Sequence, residues 1–181
     1  MRIISGKYRG RMIHPGKEFT ARPTTDTAKE SLFNILMNTY DLEEIDVLDL
    51  FAGTGSISYE FASRGCKSIE TVELNYKHAG FISKMVQELK FDQLRLIRTN
   101  AFHYLKACNR KFDIIYADPP YDLEEIETLP EIIISKGLLK EGGVFILEHS
   151  KNMNFSNHEK LSDHRAYGSV NFSFFSNDKK L

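Results

Sequence analysis

From Asp46 onward the chain alternates short apolar runs with segments of helical spacing, and that alternation leaves few folds open. Runs at 46–50, 68–74, 94–97, 112–117 and 144–148 read as strands. Between them, 55–63, 76–90, 101–108 and 124–135 read as helices. In the second helix Phe81, Ile82, Met85, Val86 and Leu89 are the expected core face, and in the last Pro130 is expected to kink or split the helix. Strands alternating with helices imply an α/β fold, a mostly parallel sheet covered on both faces. Gly142-Gly143 is read as the break before the strand at 144–148, and the runs at 160–165 and 170–175 around Gly168 as a closing hairpin. Ahead of the alternation, Ala28, Leu32, Ile35 and Leu36 predict an amphipathic helix over 27–38, with Thr27-Ala28-Lys29-Glu30 as its capping box.

Ligands in such sheets bind beyond the carboxyl ends of the strands. The first of these ends carries Asp49, then Phe51-Ala52-Gly53-Thr54-Gly55, where two glycines let the backbone approach a ligand at a helix N-terminus. It is not a dinucleotide fingerprint, because Ser58 stands where a third glycine is needed, and Gly6-Lys7-Tyr8 fails the P-loop pattern. Glu73 closes the second strand about 20 residues after the first, where an acid accepts from ribose hydroxyls. Asn100-Ala101-Phe102 follows the third strand. Its amide can meet an adenine, with Phe102 or Leu74 against the ring, or cap the next helix. Asp118-Pro119-Pro120-Tyr121 ends the fourth strand, since two prolines cannot continue a central ladder. Asp118 and the Pro119 carbonyl can both accept from one planar NH₂ group, and Tyr121 offers a face for a flat ring.

The 181 residues carry a net charge of −1, unevenly distributed. Residues 1–22 hold Arg2, Lys7, Arg9, Arg11, Lys17 and Arg22 against Glu18, a net +5 that faces −6 in the remaining 159. A basic arm on an acidic body suits an anionic partner, although a solvated surface hairpin would look the same. Two cysteines give neither a disulfide framework nor zinc-ligand spacing. No apolar run reaches membrane-spanning length and the start lacks an apolar signal region, so a cytoplasmic protein is expected.

Leu48–Gly55 together with Asp118-Pro119-Pro120-Tyr121 resembles the amino-methyltransferases that act on exocyclic or amide nitrogen. Further stretches narrow the likeness: Arg2-Ile3-Ile4-Ser5-Gly6-Lys7-Tyr8-Arg9-Gly10-Arg11, Arg22-Pro23-Thr24-Thr25-Asp26, Glu148-His149-Ser150 and Tyr167-Gly168. With them the chain is similar, along nearly its whole length, to the RsmD family of bacterial small-subunit ribosomal RNA (guanine-N2)-methyltransferases. The resemblance implies a Rossmann-like class I methyltransferase with a seven-stranded sheet. It implies S-adenosyl-L-methionine as donor, N2-methylguanine in 16S ribosomal RNA as product, a monomer, and a substrate met as naked RNA or in an assembling small subunit. Asp49, Phe51–Gly55, Glu73, Leu74 and Asn100–Phe102 would hold the cofactor, Asp118–Tyr121 would be catalytic, and Arg2, Lys7, Arg9, Arg11 and Arg22 would meet RNA. Residues 1–26 would form the basic arm and 27–181 the methyltransferase domain, with no metal required. The chain departs from the family at Asn100, where Asp is usual, and in a short segment after Leu147. The same clamp would serve a DNA adenine-N6 or protein glutamine methyltransferase, and the same fold a non-catalytic RNA-binding assembly factor.

Overall fold

The computed structural model describes residues 1–16 and 25–177. Five strands run parallel: β1 (Asp46–Leu50), β2 (Ser68–Val72), β3 (Leu94–Ile97), β4 (Phe112–Ala117) and β5 (Leu139–His149). β6 (Leu161–Tyr167) and β7 (Val170–Ser176) add an antiparallel hairpin, giving one sheet in the order β3-β2-β1-β4-β5-β7-β6. The order reverses between β1 and β4, so a crevice opens there beyond the strand ends. This is a Rossmann-like arrangement with a C-terminal hairpin.

Each face of the sheet buries its own apolar layer. Val47, Ile69, Ile114, Ile146 and Phe174 pack under α1 (Asp26–Thr39), α2 (Ser56–Ser63) and α3 (Tyr76–Leu89). Leu48, Ile115, Phe145 and Leu147 pack on the other side under α4 (Ala101–Ala107) and α5 (Leu129–Ser135). Alternate strand residues thus serve opposite cores, as a doubly covered sheet requires. Cys66 and Cys108 are buried free thiols, and no helix among the described residues is long and apolar enough to cross a membrane.

Several expectations are corrected. The cap of α1 is Thr25, which accepts from the Ala28 N–H, and not Thr27, which lies inside the helix. Phe81 and Val86 are only partly buried, leaving Ala79, Ile82, Met85 and Leu89 as the buried face of α3. β2 stops at Val72, placing Glu73 and Leu74 just past the ladder. The 124–135 segment divides into a 3-10 turn, Glu124–Thr128, and α5, in which Pro130 occupies the first turn. Proline opens this helix because its missing N–H would have had no partner there. Gly142-Gly143 does not precede β5 but lies within it, at an irregularity opposite Phe112–Ile114. A Cβ on Gly143 would stand 2.9–3.1 Å from three backbone carbonyls, so the strand continues only because nothing is there.

The segment 1–16 doubles back with a single bridge, Arg2 to Met12, and lies on the α1–α3 face. Ile3 and Ile13 are buried. The buried carboxylate of Glu60 accepts from the Ile4 N–H at 2.8 Å and the Ser5 N–H at 3.0 Å, and the Tyr8 hydroxyl donates to the Leu89 carbonyl at 2.6 Å.

Candidate active site

Between β1 and α2 the chain makes three left-handed turns in five residues: Phe51 (φ 58°), Gly53 (φ 57°) and Gly55 (φ 85°). The Gly53 N–H donates to Glu73 Oε2 at 2.7 Å, tying the loop to the end of β2. A Cβ at Gly53 would meet nothing within 4 Å, because the residue faces the cavity. Gly55 faces inward, and a Cβ there would stand 2.6 Å from the Tyr59 ring. Below the loop Asp49 is buried at 1% exposure. It accepts from the Ser58 hydroxyl at 2.5 Å and from the Ser58 backbone N–H in the first turn of α2. Burial raises the Asp49 carboxyl to about 7, and the charge on Glu73 adds to the shift.

Glu73 also accepts from the Asn75 N–H at 2.6 Å and lies 3.7 Å from His78 Nδ1. The Asn100 Oδ1 caps α4 by accepting from Phe102 and His103 N–H at 2.9 and 3.2 Å. Helix capping therefore takes its oxygen, and only its NH₂ end is left to meet a ligand. Leu74, 61% exposed, and the Phe51 and Phe102 rings, 6.2 Å apart, form an apolar shelf around it.

Across the switch point Asp118 follows β4. Burial holds its carboxyl well above the usual carboxylate range, and the charges of Glu148 and then Asp49 push the same way. The Pro120 carbonyl accepts from the Leu123 N–H at 3.0 Å and folds the loop back. The Pro119 carbonyl takes no backbone donor outside helices and strands among the described residues. Tyr121 is 59% exposed at the rim. Phe51–Thr54 of the glycine loop, Glu73, Asn100–Phe102 and Asp118–Tyr121 line one cavity of about 760 Å³, whereas Gly55, expected to meet the cofactor, does not line it because it turns toward the Tyr59 ring. That volume suits a nucleoside-sized ligand together with part of a second.

The cations of the arm are not gathered at this cavity. Arg2 pairs with Asp26 at 3.1 Å, close to where Thr25 lines the rim. Lys7 and Arg9 are exposed where the arm turns beside Ser63, at the far end of α2. Arg11 is bound to Glu88 at 2.6 Å, and Lys7 sits over the Tyr8 ring. Arg22 lies outside the described residues. Glu148 and Tyr116 line the cavity and were not expected in it. The rule that located Asp118, an acid at a strand's carboxyl end, also fits Glu148. Thr25, Ser169 and Val170 reach the rim from the α1 cap and the β6–β7 turn, the first within the Arg22–Asp26 stretch and the others just after Tyr167-Gly168.

Residues 1–176 match the model of the family described as conserved hypothetical protein 95. The chain belongs to this family, the RsmD family. The ribosomal RNA small subunit methyltransferase D of Haemophilus influenzae is 30% identical over 183 residues, covering 98% of this chain and 94% of that one. A solved hypothetical protein of Thermus thermophilus superposes with a TM-score of 0.84 at 26% identity, covering 97% of this chain and 99% of that one. A more distant structure, described as a methyltransferase candidate and complexed with SAH, shares the fold. It is 18% identical, with a TM-score of 0.65, covering 81% of this chain and 48% of that one. As an RsmD-family member the chain has a class I methyltransferase fold, and its cavity lies where that fold's sheet order reverses.

Proposed function

We propose that the protein transfers the methyl group of S-adenosyl-L-methionine to the exocyclic N2 of a guanine in 16S ribosomal RNA. The observation that carries this reading is the single cavity joining two half-sites. Gly53 and Glu73 stand on the β1–β2 side, and Asp118 with the Pro119 carbonyl on the β4 side. The RsmD relatives, named as small-subunit ribosomal RNA methyltransferases, support the substrate class.

The residues present fit the donor. Gly53 leaves its approach open, Glu73 offers a carboxylate to ribose hydroxyls, Leu74 and Phe102 would flank an adenine, and the Asp49 carboxylate would offset the donor's positive charge. When bound, the donor supplies an electrophilic methyl group on a sulfonium. The chain's task is to make the amine reactive. The guanine N2 lone pair is delocalised into the ring, and hydrogen bonds from the NH₂ group to Asp118 and the Pro119 carbonyl favour its nucleophilic, pyramidal form. Held in line at about 3 Å, the amine gains much of its rate from position alone. In this reading Asp118, or water after transfer, takes the proton the amine sheds. A guanine paired in a helix cannot enter, so the base is unpaired or flipped, with Tyr121 at the rim to stack against it. The exposed Lys7 and Arg9, away from the cavity, would meet phosphates of the flanking RNA.

The test is nucleoside analysis of 16S ribosomal RNA from cells with and without the protein, followed by methylation of the unmodified RNA in vitro. Loss and restoration of N2-methylguanosine is the expected result. Label entering DNA or protein fractions and not RNA would overturn the reading.

A further inference from the structure

The cavity does not end at the amine clamp. It continues away from β1, and Tyr116, Glu148, Ser169 and Val170 line that end. β4 and β5 run parallel with Tyr116 beside Ile146 and Ala117 beside Leu147. One step further stand Asp118, just past β4, and Glu148, the last residue but one of β5, and the alternation of side chains puts both on the face that Tyr116 occupies. Glu148 is 2% exposed and accepts a hydrogen bond from the Tyr116 hydroxyl, itself buried. Such a carboxylate, fixed by a buried phenol at the floor of a ligand cavity, has two oxygens with lone pairs enough to accept from a ligand as well. Its nearness to Asp118 is felt in the upward displacement of the Asp118 carboxyl.

Two acceptors on adjacent strands match one kind of base edge. Guanine presents its N2 amine next to N1–H, two neighbouring donors. Adenine and 2-aminopurine present an amine next to a bare ring nitrogen, which a carboxylate would repel. We propose that Glu148, held by Tyr116, is the residue that determines base specificity, its carboxylate accepting the N1–H of the target guanine while Asp118 and the Pro119 carbonyl hold the N2 amine. This rests on the amine-clamp reading of Asp118 and deepens it. Substitution of Glu148 should therefore change which base is methylated as well as how fast.

The test uses 16S ribosomal RNA ligated so that the mapped target carries guanosine, 2-aminopurine riboside or 2,6-diaminopurine riboside. Both analogues keep the amine at C2 and lack the proton at N1, and 2-aminopurine also lacks the group at C6. The parent enzyme should prefer guanosine by about 10²–10⁴-fold, since a site built to pair an N–H rejects analogues without it. Glu148→Gln, which can turn an NH₂ toward the bare nitrogen, should narrow that ratio at least about tenfold. Its cofactor affinity, read by calorimetry, should stay parental. Tyr116→Phe should narrow the ratio less. Equal slowing on guanosine and both analogues in Glu148→Gln would show a structural role only and overturn the proposal. So, without any variant, would parental rates on the analogues within about threefold of guanosine. Failure of the parent to form N2-methylguanosine at all would instead remove the functional reading beneath it, and this proposal with it.

Discussion

Asp49 is a buried carboxyl whose proton ties stability to pH and, in the proposed cofactor site, would tie ligand binding to it as well. With its carboxyl raised to about 7, the folded protein keeps a proton that the unfolded chain releases near 4. Its contribution to stability is full below about 4 and is lost as pH rises toward 7. A cationic ligand placed over the carboxylate favours the opposite, ionised form. Affinity for S-adenosyl-L-methionine should therefore rise between about pH 5.5 and 8, with proton release visible by calorimetry in two buffers of different ionisation heat. Asp49→Asn should flatten the dependence, and an unchanged slope in that variant would remove Asp49 from the cofactor site. At Asp118 the expectation concerns turnover. Asp118→Ala should lose about 10²–10³ in single-turnover methylation with saturating cofactor and RNA, and Asp118→Asn less, with cofactor affinity kept in both. The rate of the parent should climb with pH along a limb above the usual carboxylate range, because burial and the Glu148 charge delay ionisation. Asp118→Asn should lack that limb. Near-parental turnover in Asp118→Ala would move the reacting amine elsewhere. Asp49, Glu73 and Asp118 were legible in the sequence because each stands at or beside a strand's carboxyl end. Glu148 obeys the same rule, yet its partnership with Tyr116 depends on a register between two strands 32 residues apart in sequence, which no local pattern encodes.

At the scale of elements, local patterns located strands and helices well and their ends less well. Helix ends moved where a side chain chose between caps, as Thr25 did over Thr27. Gly142-Gly143 misled because glycine pairs usually end strands, whereas here crowding by neighbouring carbonyls demands a residue without a Cβ. The glycine loop was placed correctly, but its two glycines have different reasons to be there. Gly53 is open toward the cavity and Gly55 abuts the Tyr59 ring. Gly53→Ala should cost about 1 kcal/mol of stability from its left-handed backbone and weaken cofactor binding, because its methyl group enters ligand space. Gly55→Ala should destabilise further, by about 1–3 kcal/mol of added overpacking against Tyr59, and disturb the cofactor indirectly. Thermal melts and calorimetry on the pair separate the two effects. Parental cofactor affinity in Gly53→Ala would mean that no ligand approaches this backbone.

For the whole molecule, the charge asymmetry of the sequence identified a basic arm but not how it is held. Glu60 does that, receiving two arm N–H groups while Arg64 at 2.9 Å and Lys29 at 3.8 Å flank it. Lys29 is 1% exposed, its pKa lowered by burial, and its ammonium donates to the Arg2 carbonyl at 2.6 Å and to Ser56 Oγ at 3.2 Å. Ser56 lines the cavity, so one buried cation joins the arm to the start of α2. Apart from Arg64, one helical turn from Glu60, these partners lie 27 to 56 residues apart, beyond any motif's reach. Glu60→Gln keeps the shape, removes the charge and leaves Lys29 buried without its counter-ion, an imbalance on the scale of about 3–5 kcal/mol. The arm should then loosen from the body before the sheet melts. Hydrogen exchange at Ile4 and Ser5 should accelerate by an order of magnitude or more, while amides in β1 and β4 keep their protection. On the proposed function Lys7 and Arg9 would meet phosphates from a fixed arm, so RNA binding should weaken with it. Arg9→Ala, which removes an exposed cation with no ion pair among the described residues, should keep Tm. Its salt dependence of binding should flatten by roughly one phosphate's worth. Unchanged exchange in Glu60→Gln would show that Ile3, Ile13 and Tyr8 hold the arm by packing alone. An unchanged salt slope in Arg9→Ala would place the RNA on another face of the protein.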